Sequence, residues 1–361
     1  MSADRIDLAA LRHHGDVEAR PGLLDFAVNV QGSAPPDWLR ARLAARLDEL
    51  GRYPSADDEL AAREAVAARH GRAPDEVLLL AGAAEGFAML PRLAPRLAAV
   101  VHPSFTEPEL ALREAGVAVT RVVLPPPYSL DPEQVPEDAD LVVLGNPTNP
   151  TSVLHPTDTI RALRRPGRVI VVDEAFADAV PGEPESLAAE SMPDVLVLRS
   201  LTKTWALAGL RCGYVLGAPD QLARLDRGRP HWPLGTLQLE AITATAEPEA
   251  MAQTRALAER IARDRAAMIE RLTAIGVTVH TPATGPFLLL RVRDGALLRK
   301  HLADNGIAVR RADTFPGLDA DHLRVAVRGA AEVDRLIEAI LVAEGRRRFR
   351  RRVQGGCSGD T

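Results

Sequence analysis

Short apolar runs alternating with helix-like segments predict an α/β fold. A large, mostly parallel-sheet α/β/α domain is joined to a smaller α+β domain. Two observations carry this reading. Runs such as Val169-Ile-Val-Val172 and Val195-Leu-Val-Leu198 are apolar at every position, as in strands buried on both faces. From about Ala241 the alternation gives way to one long Ala/Arg/Glu-rich helix and a set of short strands. At 361 residues the chain is long enough for two such units.

Taken in order, residues 1–23 read as an arm containing His13-His14-Gly15-Asp16. A short strand over 24–30 follows, then Pro35-Pro36 and a helix over about 37–50. Arg52-Tyr53-Pro54-Ser55 interrupts the chain. Ser55 with Asp58 three residues on makes a capping-box-like start for a helix that runs to His70 and stops at Gly71. Strands over 77–81, 99–102, 117–124, 141–144, 168–172 and 195–198 then alternate with helices from about 84, over 106–115 and over 157–163; 212–216 adds another strand. A helix over 249–274 ends at Gly276, before strands near 277–280, 287–293, 307–310 and 323–327 and helices near 296–305 and 332–344. The expected division is an N-terminal arm and part of the small domain (1–50), the large domain (51–245), the C-terminal small domain (246–345) and a basic, disordered tail (346–361).

The bulk properties exclude several function classes. A net charge of −5 gives no general reason to expect nucleic-acid binding, and the six arginines between Arg346 and Arg352 read as a solvated tail. Cys212 and Cys357 fit neither a metal spacing nor a disulfide framework, so a reducing cytoplasm is expected and no metal. The first residues carry charges and no apolar stretch, unlike a signal peptide, and no apolar run is long enough for a membrane span.

One stretch organises the rest: Ser200-Leu-Thr-Lys203-Thr-Trp-Ala-Leu-Ala-Gly209-Leu-Arg211-Cys-Gly213-Tyr. A lysine at a strand end, among hydroxyls and close to an arginine, suits a Schiff base to an aldehyde whose phosphate Ser200, Thr202 and Arg211 hold. Gly82-Ala83-Ala84-Glu85-Gly86 opens a helix after a strand, where free N–H groups can take the same phosphate. Phe105, just past another strand end, fits a ring-stacking residue and a core phenylalanine equally. In Val171-Val172-Asp173-Glu174-Ala175-Phe176 a carboxylate ends a wholly apolar strand and needs a cationic partner; a protonated pyridine nitrogen is one. An arginine at a strand end can make a planar bidentate clamp for a carboxylate, and Arg310, Arg311, Arg324 and Arg328 lie near the C-terminal strands.

These segments resemble, in order and over nearly the whole chain, the fold-type I pyridoxal-phosphate enzymes of the class I/II aminotransferase group. The nearest resemblance is to the branch that holds histidinol-phosphate aminotransferase and threonine-phosphate decarboxylase. The resemblance implies a PLP-dependent transferase fold with pyridoxal 5'-phosphate as cofactor, and Lys203 as the catalytic residue that carries it. It implies backbone contacts to the cofactor phosphate from Ala83, Ala84 and Glu85, and a stacking role for Phe105. Asn146-Pro-Thr-Asn149-Pro-Thr resembles the family's N-P-x-N-P-T-G with Ser152 for the glycine, so Asn149 would donate to the phenolic oxygen and Asp173 would hold the ring nitrogen. Phe176 stands where the aminotransferases commonly have tyrosine, as in the decarboxylase branch.

Arg52-Tyr53-Pro54 resembles a segment whose tyrosine crosses to the neighbouring subunit's cofactor, which implies a homodimer with shared active sites. Arg324 matches the arginine for a substrate carboxylate and Arg310 one for a substrate phosphate, while His14 and Asn29 fall in segments that touch substrate. Those segments depart from the family pattern at Asp16-Val17 and Val30-Gln31-Gly32. The first functional reading is therefore a decarboxylase of O-phospho-threonine for cobalamin biosynthesis. The alternative is an aminotransferase of the histidinol-phosphate type, and a further one is a catalytically weak protein that binds the cofactor.

Overall fold

The structure is a computed structural model that describes residues 8–13 and 15–355. It starts with helix α1 (Leu8–Leu11), strand β1 (Leu24–Asp25) and helices α2 (Asp37–Ala44) and α3 (Ala56–His70). An alternating region follows: β2 (Val77–Leu80), α4 (Ala83–Met89), β3 (Leu97–His102), α5 (Glu107–Glu114), β4 (Ala118–Val123), β5 (Leu141–Gly145), α6 (Thr157–Arg161), β6 (Val169–Asp173), β7 (Val195–Ser200) and β8 (Gly213–Leu216). Then come α7 (Pro219–Asp226), α8 (Thr236–Ala246) and α9 (Pro248–Ala274). The chain closes with β9 (Thr278–Val279), β10 (Phe287–Arg291), α10 (Gly295–Asp304), β11 (Ile307–Ala308), β12 (Arg310–Arg311), β13 (His322–Ala326) and α11 (Ala330–Gly355).

The larger sheet has seven strands in the order β2-β8-β7-β6-β5-β3-β4. β8 is antiparallel to both of its neighbours, so the other six strands share one direction. β5 and β7 are buried along their full length, which explains why neither shows an alternating polar face. Apolar clusters cover the sheet on each face; one includes Val142, Ile170 and Val197, the other Val143, Val171 and Leu196. A second sheet, β12-β13-β10-β9, forms a separate core with α9 and α11 around Leu288, Leu323, Met268 and Leu336. The arm joins that part of the molecule, because β1 pairs in parallel with β11.

The structure departs from the sequence reading in several respects. The segment over 37–50 is not one helix: α2 stops at Ala44, and a 3₁₀ turn occupies Leu47–Gly51. It also packs on the large domain instead of the small one. Leu39 lies in the large-sheet core, Trp38 meets Trp205 edge-on at 5.6 Å, and Arg42 reaches Glu247 at 2.7 Å. Last, α11 continues through the arginine run to Gly355 where a disordered tail was expected; Cys357 lies outside the described residues. α3 has the cap the sequence suggests, with the Ser55 hydroxyl accepting from the Asp58 N–H and Gly71 in the left-handed region at φ 63. Among the described residues, no helix is long and apolar enough to cross a membrane and no group of side chains is disposed to hold a metal.

Candidate active site

The carboxyl ends of the parallel strands in the large sheet face a cavity of about 510 Å³, where open α/β sheets bind their ligands. β2, β6 and β7 bring Ala83 and Ala84, Asp173, Ser200, Thr202 and Lys203 to its wall. The loop after β5 adds Asn149, and the loop after β3 adds Phe105. From the opposite side β12 and β13 supply Arg310 and Arg324, and the arm supplies His13 and Asn29.

At one end the groups suit a phosphate. The Ser200 and Thr202 hydroxyls lie 2.7 Å apart. Gly82, at φ 82, leads into α4, and a Cβ there would stand 2.8 Å from Arg211 Nη2. The backbone angle favours glycine, and without a Cβ the guanidinium can approach the helix start closely. Arg211 itself is exposed, with Nη1 donating to the Ala208 carbonyl at 3.4 Å. Glu85 does not join this cup. Its carboxylate accepts from the Ala81 N–H at 2.6 Å and from Arg229 at 2.8 Å, while its own N–H donates to the Gly82 carbonyl. It fixes the start of α4, and it does not line the cavity.

Asp173 and Lys203 face the same space. The rim of Asp173 opens to the cavity, yet burial pushes its pKa up to about 6; Glu174 adds to the rise, while the Ala175 N–H and Lys203 oppose it. Its Oδ1 accepts from the Ala175 N–H at 3.1 Å. Phe176 is buried edge-on against Phe287 at 4.9 Å. The two asparagines of the Asn-Pro-Thr-Asn-Pro segment divide their work. Asn146 is structural: its side chain accepts from the His155 N–H at 2.7 Å and donates to the carbonyls of His155 and Glu185. Asn149 lines the cavity, and its Oδ1 accepts from Arg324 Nη1 at 2.8 Å.

The other end is cationic. Arg310 and Arg324 are cross-strand partners in β12 and β13, both nearly fully buried. Arg310 donates to the His13 carbonyl at 2.7 Å and the Thr314 hydroxyl at 2.8 Å, over the Phe315 ring. Arg324 also donates to the Ala27 carbonyl, and its Nε and the Asn29 Oδ1 have no hydrogen-bond partner among the described residues. Burial, followed by the charge of Arg310, lowers the Arg324 pKa to about 9. Such a site favours an anion in the cavity.

The remaining expected site residues are His14 and Tyr53. His14 lies outside the described residues. Tyr53 is 74% exposed, away from this cavity, and stacks on Trp232 with centroids 4.1 Å apart. Sequence reasoning passed over His13, which lines the cavity, and whose pKa burial and Arg310 lower. The neighbouring His14-Gly15 pair was the available signal. It also gave no role to Glu107 or Phe315, which line the cavity as well.

Comparison with known proteins shows the family of the chain. The model of the family "Aminotransferase class I and II" matches residues 22–340. A histidinol-phosphate aminotransferase of Mycobacterium tuberculosis (strain ATCC 25618 / H37Rv) is 60% identical over 91% of this chain and 90% of its own. A threonine-phosphate decarboxylase of Salmonella typhimurium is 31% identical over 88% of this chain and 90% of its own. The crystal structure of the histidinol-phosphate aminotransferase from Clostridium acetobutylicum superposes with a TM-score of 0.83 at 22% identity, covering 90% of this chain and 100% of the other, a likeness of fold.

The residues present fit pyridoxal phosphate. Asp173 suits a cationic ring nitrogen, Lys203 faces the same cavity, and the Gly82 cradle with Ser200, Thr202 and Arg211 suits a phosphate.

Proposed function

Since the chain belongs to the aminotransferase class I and II family and is a pyridoxal-phosphate-dependent enzyme, we propose that it transfers the amino group of a phosphorylated substrate of the histidinol-phosphate type. The observation that carries this is the pairing of Arg310 and Arg324 across β12 and β13 at one end of the cavity. Two buried guanidiniums side by side suit a dianion better than a single carboxylate. The 60% identical histidinol-phosphate aminotransferase supports amino transfer over the decarboxylation that the sequence first suggested, for which the relative is 31% identical.

In this reading, the bound cofactor supplies an electron sink for the carbanion at the substrate's α-carbon. Lys203 would anchor the cofactor, and its Nζ would carry the α-proton away from the amino donor and, in the second half of the cycle, supply a proton to the α-carbon of the accepting oxo acid. Asp173 keeps the ring nitrogen protonated, and Asn149 donates to the phenolic oxygen while Arg324 holds its side-chain carbonyl. Arg310 and Arg324 seat the substrate phosphate and, in the second half of the cycle, a carboxylate of the accepting oxo acid. Phe105 and Phe176 keep water from the ring. The exposed Tyr53–Trp232 stack supports a homodimer in which Tyr53 reaches the other subunit's cofactor phosphate.

The test is direct. Purified holoenzyme given histidinol phosphate and 2-oxoglutarate should form glutamate, and its solution mass should be that of a dimer. Carbon dioxide from labelled O-phospho-threonine, without amino transfer, would establish the decarboxylase instead.

A further inference from the structure

The strand ends that carry Asp173 and Ser200 into the cavity carry a second set of charges on their other side. Glu174 follows Asp173 and Arg199 precedes Ser200, so the alternation of side chains along extended backbone turns both away from the cavity. The Glu174 carboxylate takes three donors: Arg199 Nη1 at 3.0 Å, the Ser186 hydroxyl at 2.6 Å and the Leu187 N–H at 2.7 Å. Arg199 continues to Glu183 at 2.7 Å and to Asp178, and Asp178 is also held by Arg69 at 2.7 Å. Tyr214, the cross-strand partner of Arg199, closes the cluster through its hydroxyl, 2.8 Å from His70 Nε2. Glu174 and Arg199 are each 1% exposed.

Burial raises the pKa of Glu174, but its three partners all donate, so it is held as a carboxylate. It is thus a negative charge one residue from Asp173, in surroundings where water screens little. The charges around the two carboxylates are Lys203 on the cavity side and Arg199, Arg69, Asp178 and Glu183 behind, while burial keeps His70 neutral. Arg199 is the cation that touches Glu174.

We propose that Arg199 is a positioning residue for the reaction: it neutralises Glu174 from behind, and so leaves the negative charge of Asp173 available to the ring nitrogen of the cofactor. Without it, Glu174 and Asp173 would compete for one proton, and the proton on the ring nitrogen would move to the protein. The inference rests on the cofactor assignment and is independent of the choice of substrate.

The experiment uses holoenzyme loaded with pyridoxal phosphate carrying ¹⁵N in the ring, with the ring-nitrogen resonance followed against pH by solid-state NMR. In Arg199→Met the resonance should move toward its unprotonated position at pH 7.5, and cofactor affinity, read by absorbance titration, should fall about tenfold, the equivalent of one pKa unit. Adding Glu174→Gln to Arg199→Met should return both readings most of the way, whereas adding Glu183→Gln should not. An unmoved resonance in Arg199→Met, or a double variant with Glu174→Gln as displaced as the single one, overturns the proposal. Should Arg199→Met not fold, Glu174→Gln alone reads the same effect. The uncancelled Arg199 charge should then make the ring nitrogen lose its proton at a pH about one unit lower, and an unmoved midpoint overturns it. Wild-type protein that takes up no cofactor would overturn the cofactor assignment and this inference together.

Discussion

The ends of β6 and β7 have two faces, and the same backbone dresses them differently. On the back face each charge meets its opposite: Arg199 bonds Glu174, Glu183 and Asp178, and Asp178 bonds Arg69. On the cavity side Arg324 is as deeply buried, yet its bonds go to an amide oxygen and a carbonyl, and no carboxylate pairs with it among the described residues. The consequences run in opposite directions. The Arg199 pKa is pushed well up by Glu183 and Asp178, whereas that of Arg324 is pushed down to about 9. Charges answered by the protein can be buried without a large loss of stability; charges turned into the cavity lower it and serve a ligand.

Lys203→Ala should break the cavity face most completely. Turnover should fall by about 10⁴-fold or more, since one side chain both anchors the cofactor and moves the proton. The visible absorbance of the lysine-linked cofactor should vanish while the unfolding midpoint of the apoprotein stays in place. Survival of that band in the variant would refute the assignment of Lys203.

The two arginine environments can be set against each other directly. Asp178→Asn on the back face, which leaves Arg69 and Arg199 short of a partner, should cost about 3–5 kcal/mol of stability. Arg324→Met should cost about 2–5 kcal/mol in kcat/KM and leave stability equal or slightly higher. Denaturant unfolding and steady-state kinetics on both proteins check the contrast. An Arg324→Met protein that unfolds as readily as Asp178→Asn would erase the distinction between the faces.

The cavity face was the more legible of the two in the sequence, for a physical reason. Lys203, Asp173 and Asn149 each end or follow a strand within a short motif, so local chemistry and position coincide. The back face joins residues that are far apart in sequence: Arg69 and Asp178 are separated by 109 positions, Arg199 and Glu174 by 25. No local pattern announces them. His13 was missed because only the packing of the arm against Arg310 brings it to the cavity, and no local pattern in the sequence shows that packing. Glu85 misled for the opposite reason. A helix start offers N–H groups to a phosphate, but here the Glu85 N–H is already bonded within the turn. α8 was not foreseen because, apart from Gln238 and Glu240, its residues are apolar or small, six of them are buried, and the helical period is hidden.

The smallest effect concerns Asp173, and its sign is opposite to that of a paired carboxylate. Its pKa rises from an ordinary 3.8 to about 6 on folding, so the folded apoprotein holds the proton more tightly than the unfolded chain. Its contribution to apoprotein stability is therefore most favourable below about pH 4 and is lost as pH rises through 6. Asp173→Asn keeps an oxygen for the Ala175 N–H without the buried charge. The apo form of that variant should be more stable than wild type at pH 7.5 by about 1–3 kcal/mol, the free-energy equivalent of one to two pKa units. The gain should fade toward pH 4, where wild-type Asp173 is itself protonated. Glu174→Gln should show no such gain, because the Glu174 charge already meets Arg199. Denaturant unfolding of the two apo variants across that pH range measures the difference. An Asp173→Asn apoprotein weaker than wild type at pH 7.5 would mean that Asp173, like Glu174, is satisfied from within the fold, and that the cavity face asks nothing of a cofactor there.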